Sequence, residues 1–337
     1  MSPAHLASVD MAAPHGPWLV ADIGGTNARL GWVEGPGGDI RHVRTLPVLG
    51  HAHPHDAVRA YLAQVGPLVD GPAVPRRAAL AVATAVGHDE VAFTNSHWRF
   101  SARALQQTLG LERLQVLNDF EALALSLPRL GAGQLRAIGP GLPRPEGTLA
   151  VIGPGAGLGV GGVTRTRHGW VALPGEGGHA TLAPADEFES AVLAAARTRF
   201  DHVSAERLLS GIGLPVLHAS VAEAMGQAVE LLPAEQIVER GVAGADALCE
   251  RTLDTFCAML GGFAGSVALT LGARGGVYVG GGIVPRLGER FFQSRFRERF
   301  EAKGRFRGYL HAIPTALITD TLAALTGAAF AIEQDGV

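Results

Sequence analysis

Two glycine-rich turns, each set between apolar segments, constrain the fold of this chain more than any other feature. The first reads Asp-Ile-Gly-Gly-Thr-Asn over residues 22–27, after the apolar run Trp18–Ala21 and before Ala28–Val33. Glycines let the backbone bend tightly and bring several N–H groups close to an anion. Asp22 would repel a phosphate unless a cation lay between them. The turn therefore predicts a phosphate-binding hairpin in which Asp22 positions a metal ion.

A similar pattern, Val-Ile-Gly-Pro-Gly-Ala-Gly-Leu-Gly-Val-Gly-Gly-Val, returns at residues 151–163. Aligning Gly24 with Gly155 without gaps places Thr26 opposite Gly157. This repeat predicts a duplicated α/β fold whose two hairpins hold one phosphate chain from two sides. The alternative is two glycine-rich β-turns without a ligand. A P-loop is excluded because no Gly-Lys-Ser/Thr follows, and a Rossmann fingerprint fits poorly because the first turn leads into a strand.

Length and charge bound the class of protein. The chain has 337 residues, of which 47 % are hydrophobic, and this length suffices for two domains. Its net charge is −3, so nothing indicates nucleic acid or an anionic membrane as a partner. The two cysteines are too few for a disulfide framework and fit a reducing cytoplasm. Residues 1–16 are expected to be a disordered tail, because they lack the basic start and apolar block of a signal peptide.

One uncharged stretch, Thr255–Ala273, approaches the length of a membrane span. It contains four glycines, a serine and two threonines. A buried helix at the centre of an α/β domain is the favoured interpretation.

Strand and helix patterns alternate along the chain. Strands are predicted near 17–23, 28–34, 41–47, 79–86, 114–117, 149–153, 158–164, 170–173, 276–279 and 314–318. Helices are predicted near 55–65, 101–109, 121–127, 187–199, 204–209, 214–227, 233–241, 245–271, 288–300 and from 321. Residues 131–147 are rich in Gly and Pro and are predicted to be a hinge or domain boundary.

Asn118-Asp119 follows a short apolar strand and precedes a helix, which is where open α/β sheets place their ligands. A carboxylate there can accept the proton of a sugar hydroxyl that attacks phosphorus, and Asn118 can hydrogen-bond the same sugar. The alternative is that Asp119 only caps the helix, and the local sequence by itself favours this capping role.

Glu176 and His179 lie three residues apart on the loop Pro-Gly-Glu-Gly-Gly-His. A carboxylate and an imidazole together suit a polyhydroxylated ligand. A metal site and a plain surface loop are the alternatives. The three glycines favour the close approach of a ligand.

Three further segments carry a functional and a structural interpretation each. Glu206 begins a helix, where the macrodipole alone explains an acidic residue. Gly280–Gly282 ends a strand and either lies against an adenosine or only forms a tight turn. Thr94-Asn95 and Trp98 are either ligand contacts or a buried turn.

These motifs follow one another in the order found in one known family. They are Asp22–Asn27, Thr94–Trp98, Leu117–Phe120, Gly153–Gly159, Leu173–His179, Val203–Gly211 and Gly280–Arg286. Together they closely resemble the bacterial glucokinases of the proteobacterial type, from about Trp18 to the final helix.

The resemblance implies an actin-like, ribonuclease-H-like fold of two α/β domains with the active site in the cleft. The small domain is expected over 17–129 plus 318–337, and the large domain over 130–317. The implied reaction transfers the γ-phosphoryl group of ATP to the 6-hydroxyl of glucose with Mg²⁺, and the implied assembly is a homodimer.

The resemblance also implies roles for residues. Asp119 is the general base, and the sugar ligands are Asn118, Asp119, Glu176, His179 and Glu206. Asp22 lies near Mg²⁺, through a water molecule. The nucleotide is held by Asp22, Gly24, Gly25, Thr26, Asn27, Gly155, Gly157, Gly280, Gly281 and Gly282.

The chain departs from the family pattern at Ala156, where Thr or Ser is usual, and near Ala85 and Gly87-His88. The first departure removes a hydroxyl group from the second predicted phosphate turn. The sequence therefore does not decide whether the phosphoryl donor is ATP, ADP or polyphosphate. The second leaves the choice of hexose open. The Cys-rich zinc motif of the related ROK kinases (repressors, open reading frames and kinases) is absent from the sequence, so no structural zinc is expected. A sugar sensor without turnover is the alternative function, and the retained Asp119 argues against it.

Overall fold

The computed structural model describes residues 16–69, 74–93 and 95–334. Contacts between residues divide the chain into two compact units. Unit 1 combines Met1–Ala122 with Ala324–Val337, and unit 2 comprises Leu123–Ala323. The boundaries of these contact units fall at 122/123 and 323/324, whereas the sequence predicts domain boundaries at 129/130 and 317/318. The domain bounds stay a prediction. The expected tail lies, apart from Gly16, outside the described residues.

Unit 1 contains a five-stranded sheet, a two-stranded sheet and the helices that pack with them. Its elements are β1 (Trp18–Ile23), β2 (Asn27–Val33), β3 (Arg41–Pro47), α1 (Pro54–Val65), β4 (Arg77–Val82), β5 (Glu90–Ala92), β6 (Arg99–Ser101), α2 (Ala102–Leu109), β7 (Arg113–Asn118) and α3 (Asp119–Ser126), which runs into unit 2. The apolar side chains of β1 are fully buried in the unit's core, which fixes the strand that leads into the first glycine turn.

Unit 2 contains a six-stranded sheet covered by a larger set of helices. Its elements are β8 (Leu135–Ala137), β9 (Leu149–Pro154), β10 (Leu158–Thr166), β11 (Gly169–Leu173), α4 (Glu187–Arg197), α5 (Ala205–Leu208), α6 (Leu214–Ala224), α7 (Ala234–Val242), α8 (Ala247–Leu271), β12 (Gly276–Val279), α9 (Ile283–Leu287), α10 (Glu289–Gln293), α11 (Phe296–Glu301), α12 (Arg307–His311) and β13 (Thr315–Ile318). The last helix, α13 (Ala323–Gln334), belongs to unit 1 from Ala324 onward, where Gly37 N donates to Glu333 Oε1 at 2.6 Å.

Both sheets repeat one topology. The first has the order β3-β2-β1-β4-β7, and the second has β11-β10-β9-β12-β13 followed by β8. In each, an antiparallel hairpin is extended by parallel strands. The duplicated fold that the two glycine turns predicted is therefore confirmed.

The gapless alignment of the two turns placed Thr26 opposite Gly157 and is wrong there by one residue, because the two turns differ in length. Ile23 pairs with Ala28, which leaves four residues in the first turn. Pro154 pairs with Leu158, which leaves three in the second. Gly157 therefore corresponds to Asn27, since each directly precedes the residue that forms the first Cα pair of its hairpin.

Four element predictions need correction. Strand β4 ends at Val82 rather than 86, because the backbone turns there and Thr84 N donates to Val82 O at 2.8 Å. The segment 131–147 contains β8, which pairs with β13. The predicted helix 288–300 is broken at Ser294, whose backbone is extended. The segment 204–209 forms only one helical turn, α5.

The apolar stretch Thr255–Ala273 lies mostly within α8, as predicted. This helix alone among the described residues is long and apolar enough to cross a membrane, and 78 % of its most apolar window is buried inside the protein. Its buried face contacts α6, α7 and α11 within unit 2. The prediction of a buried core helix is confirmed.

Candidate phosphate and sugar site

The first glycine turn closes tightly and lines a cavity. Gly24 N donates to Asn27 O at 2.9 Å, across the four-residue turn. The cavity beside it measures about 310 Å³. It is lined by Asp22, Gly24, Gly25, Thr26, Asn27, Arg29 and Thr45. All five residues predicted for the first phosphate turn thus border one space.

Asp22 provides the negative charge of this cavity. It pairs in register with Arg29 of β2. Burial raises the pKa of Asp22, and the positive charge of Arg29 opposes that shift. A poorly solvated carboxylate gains from a nearby cation. Carboxylate, hydroxyl and amide oxygens are ligands that suit Mg²⁺, which keeps several of its waters. The residues present therefore fit a water-bridged Mg²⁺ beside Asp22.

Neighbouring loops hold the first turn in place. A Cβ on Gly25 would lie 2.6 Å from Asn95 O, so only glycine fits against this loop. Val48 N donates to Thr26 O at 2.8 Å. Trp98 is only 2 % exposed, and its Nε1 donates to His51 O at 2.9 Å. Trp98 therefore belongs to a buried turn, which was one of its two interpretations, while Thr94 lies outside the described residues.

Asn118 and Asp119 lie where β7 ends and α3 begins. Asn118 Oδ1 accepts from Phe120 N at 2.9 Å and from Glu121 N at 3.4 Å. Its Nδ2 donates to Thr84 O at 3.1 Å. Asp119 Oδ1 accepts from Phe120 N at 2.9 Å. Because Asn118 accepts from two of the first N–H groups, helix capping does not depend on Asp119 alone.

The second glycine turn is fixed by the segment after α5. Gly155 N donates to Gly157 O at 2.8 Å and closes the turn. Gly211 N donates to Gly155 O at 2.8 Å, and Ile212 N donates to Ala156 O at 3.2 Å. The carbonyl groups of this turn are therefore directed to the protein.

Glu206 joins the second turn to the loop that carries His179. Glu206 Oε2 accepts from Leu158 N at 2.8 Å, and a Cβ on Gly157 would collide with this carboxylate. His179 Nε2 lies 3.9 Å from Glu206 Oε1, with 61 % of the His179 side chain and 22 % of the Glu206 side chain exposed. The macrodipole of α5 is therefore not the whole explanation of Glu206.

The glycines around Glu176 have a structural reason that the sequence did not reveal. A Cβ on Gly178 would collide with Leu158 O, and one on Gly177 would lie 2.9 Å from Val160 Cβ. Both glycines let the loop press against β10. These two glycines therefore do not by themselves indicate a ligand, whereas a Cβ on Gly175 would meet nothing within 4 Å. The ligand site at Glu176 and His179 stays a prediction.

The turn Gly280–Gly282 lies beside the second glycine turn. Gly280 N donates to Ile152 O at 2.8 Å. Gly281 has φ +78°, and a Cβ there would collide with Pro154 O. Gly282 has open space around its Cβ position. The carboxyl ends of β9 and β12 thus carry two adjacent turns, as a nucleotide site in an open sheet requires.

Sequence reasoning missed residues that the fold adds to these groups. Arg29 and Thr45 line the first cavity, although they lie on β2 and β3, beyond the turn itself. The alternation of side chains along a strand was the only available signal, because Asn27 and Arg29 share one face of β2.

Comparison with known proteins agrees with this arrangement. The family model of glucokinases matches residues 19–335. A glucokinase of Chromobacterium violaceum is 50 % identical over 93 % of this chain and 88 % of its own length. One of Aromatoleum aromaticum is 50 % identical over 94 % of this chain and 95 % of its own.

Solved structures give the same result. A glucokinase from an Antarctic psychrotroph has a TM-score of 0.87 and 37 % identity, covering 94 % of this chain and 98 % of its own. A ROK glucokinase of Streptomyces griseus, solved with glucose and AMPPNP, has a TM-score of 0.61 and 22 % identity over 93 % of this chain and 98 % of its own, and shows the shared actin-like fold alone. The chain belongs to the glucokinase family.

Proposed function

We propose that this protein transfers the γ-phosphoryl group of ATP to the 6-hydroxyl of glucose, giving glucose 6-phosphate. One observation carries the proposal. Glu206, a predicted sugar ligand, accepts a hydrogen bond from Leu158 N directly after the second phosphate turn. A kinase needs this juxtaposition, because the sugar hydroxyl must reach the terminal phosphate of its donor.

The predicted sugar ligands supply both hydrogen-bond donors and acceptors. Asn118 Nδ2 is directed to Thr84 O, and its remaining N–H can donate to a sugar oxygen. Glu176, His179 and Glu206 supply acceptors and an imidazole donor for the other hydroxyls. Asp119 accepts the proton of the 6-hydroxyl as its oxygen attacks the γ-phosphorus.

The nucleotide is held by glycine turns. The N–H groups of Gly24–Asn27 and of Gly155–Gly157 bind phosphate oxygens, and Gly280–Gly282 lies against the adenosine. Mg²⁺, held through water by Asp22, supplies neutralisation of the phosphate charge when bound. Asp22 is thus distinct in role from the base Asp119.

A coupled assay tests the proposal and its alternatives. Purified protein is incubated with glucose, mannose, fructose or N-acetylglucosamine, and with ATP, ADP or polyphosphate as donor. The expected result is the highest kcat/KM with glucose and ATP, and loss of turnover when EDTA removes Mg²⁺. Binding of glucose without turnover on any donor would establish the sensor instead, and a preference for another pair would correct the substrate assignment.

We infer from the family that the enzyme works in the cytoplasm as a homodimer, without a nucleic-acid or membrane partner. The chain has a mass of 35.0 kDa, so light scattering after gel filtration is expected to give about twice that value. A monomer mass at micromolar concentration would contradict the dimer.

A further inference from the structure

Unit 2 contains a second cavity that the proposed reaction does not use. It measures about 560 Å³, within the range of small-molecule sites. Its lining includes Arg144, Glu146, Arg274, His311 and Pro314. Three of these five side chains are basic or can become so.

This cavity lies at the opposite edge of the sheet from the phosphate turn. Its lining residues directly precede β9, β12 and β13, at the amino ends of these parallel strands. The turns at Gly155–Gly157 and Gly280–Gly282 follow the carboxyl ends of β9 and β12. At about 3.3 Å per residue, the four to six residues of these strands separate the two edges by roughly 13–20 Å. A ligand in this cavity therefore leaves the phosphate turns free.

The loop that forms one wall is built against the sheet. Arg144 N donates to Gly275 O at 2.9 Å, and Gly275 N donates to Thr148 O at 3.1 Å. Gly276 has φ +143°, and a Cβ there would lie 2.5 Å from Pro143 Cβ. The sequence predicted a hinge or domain boundary in this Gly- and Pro-rich segment. In the structure its backbone is hydrogen-bonded to Gly275, so Arg144 lies next to the segment that carries Arg274.

The charges of the cavity favour an anion. Within the part of the chain that the structure describes, the guanidinium groups of Arg144 and Arg274 have no hydrogen-bond or ion-pair partner. His311 Nδ1 lies 3.2 Å from Glu301 Oε1, which leaves Nε2 for another partner. Glu146 adds one carboxylate, which can accept from a hydroxyl group but repels a highly charged anion.

We propose that this cavity binds a small phosphate monoester that also carries hydroxyl groups. A guanidinium group presents paired N–H donors that suit phosphate oxygens, and two such groups border this cavity. The carboxylate of Glu146 accepts from a hydroxyl of the same ligand.

Calorimetry with glycerol 3-phosphate as the probe tests the proposal. Glucose and a non-hydrolysable ATP analogue with Mg²⁺ are present throughout, so that the catalytic site is filled. The expected result is one bound probe per chain. In the double variant Arg144→Ala/Arg274→Ala, the dissociation constant is expected to rise by about tenfold or more. With inorganic phosphate as a second probe, the dissociation constant of Glu146→Gln is expected to be lower than that of wild type, because the substitution removes a negative charge from the cavity.

A control variant is Arg167→Ala, which removes one positive charge from the exposed turn between β10 and β11, outside this cavity. It is expected to bind the probe as wild type does. Melting temperature and basal turnover of the double variant show that it is folded. The absence of probe binding to wild type at about 10 mM, or equal binding by wild type and the double variant, would overturn the proposal.

Discussion

Gly157 lies where the second glycine turn meets the carboxylate of Glu206, a proposed sugar ligand. It needs to be glycine because a Cβ would collide with the Glu206 carboxylate. Its backbone is not in the left-handed region, so the reason is space and not conformation. The neighbouring Gly155 has open space at its Cβ position.

Gly157→Ala is expected to displace Glu206 and to lower kcat/KM for glucose by about tenfold or more, since a carboxylate hydrogen bond is lost. Steady-state kinetics at saturating ATP measure this effect. Gly155→Ala is the steric control and is expected to keep the wild-type melting temperature. If Gly157→Ala retains wild-type kcat/KM, the contact between Gly157 and Glu206 has no role in sugar binding.

Ala156 is the exposed residue of the second glycine turn, and its side chain carries no hydroxyl group. Ala156→Thr is expected to lower the KM for ATP several-fold, since one added hydrogen bond contributes about 1 kcal/mol. Initial rates at saturating glucose measure the change. An unchanged or higher KM would mean that the hydroxyl does not reach a phosphate oxygen here.

At the scale of elements, Asp246 fixes the start of the core helix α8. Its Oδ1 accepts from Leu248 N at 2.8 Å and from Cys249 N at 3.0 Å. The hydrogen bond from Cys249 N is the largest cause that lowers the pKa of Asp246. A lowered pKa in the folded state stabilises the protein above the unfolded pKa of about 3.9, and this contribution disappears as the pH falls through the folded value.

Asp246→Ala is expected to lower the free energy of unfolding by about 1 kcal/mol at pH 7, as removal of an N-cap does. Asp246→Asn keeps the cap without the charge. The difference in stability between wild type and Asp246→Asn is expected to shrink between pH 6 and about pH 3. Denaturant unfolding at both pH values measures it, and a constant difference would contradict the charge effect.

A buried ion pair joins two other elements of unit 2, α4 and α11. Arg299 Nη2 lies 2.6 Å from Glu189 Oε1 and also contacts Asp186, with only 8 % and 4 % of the Arg299 and Glu189 side chains exposed. Arg299→Met leaves the Glu189 carboxylate buried without its charge partner. The expected loss of stability is about 3–5 kcal/mol.

Arg295→Met is the matched control for this variant. Arg295 pairs with Glu298 at 2.9 Å on the surface, where both side chains are more than half exposed. Its loss is expected to cost less than about 1 kcal/mol. Guanidinium unfolding followed by circular dichroism compares the two. Equal losses of unfolding free energy in both variants would show that burial does not determine how much the Arg299 ion pair contributes to stability.

For the whole molecule, the sequence predicted the duplicated sheet because each copy begins with a glycine turn between apolar strands. Prediction from the sequence failed where contacts between distant parts of the chain determine the local structure. Strand β8 has three residues and exists by pairing with β13, and Gly177 and Gly178 are required by strand β10. The cavity lined by Arg144, Arg274 and His311 gave no local signal, because its residues come from three separate segments.

The motif residues of the catalytic site were the more predictable part. Asp22–Asn27 line one cavity because they are consecutive in a single turn. Arg29 and Thr45 were missed because strand pairing brings them there. The contact of Glu206 with Leu158 joins residues 48 positions apart, so only the folded chain reveals it.

The proposed reaction depends on Asp119 as the group that accepts the proton of the sugar hydroxyl during phosphoryl transfer. The most direct measurement compares kcat and the glucose dissociation constant of wild type and Asp119→Asn, with calorimetry for binding and the coupled assay for turnover. We expect kcat of Asp119→Asn to fall by about 10²–10⁴-fold while glucose still binds. Near-wild-type turnover in Asp119→Asn would contradict it.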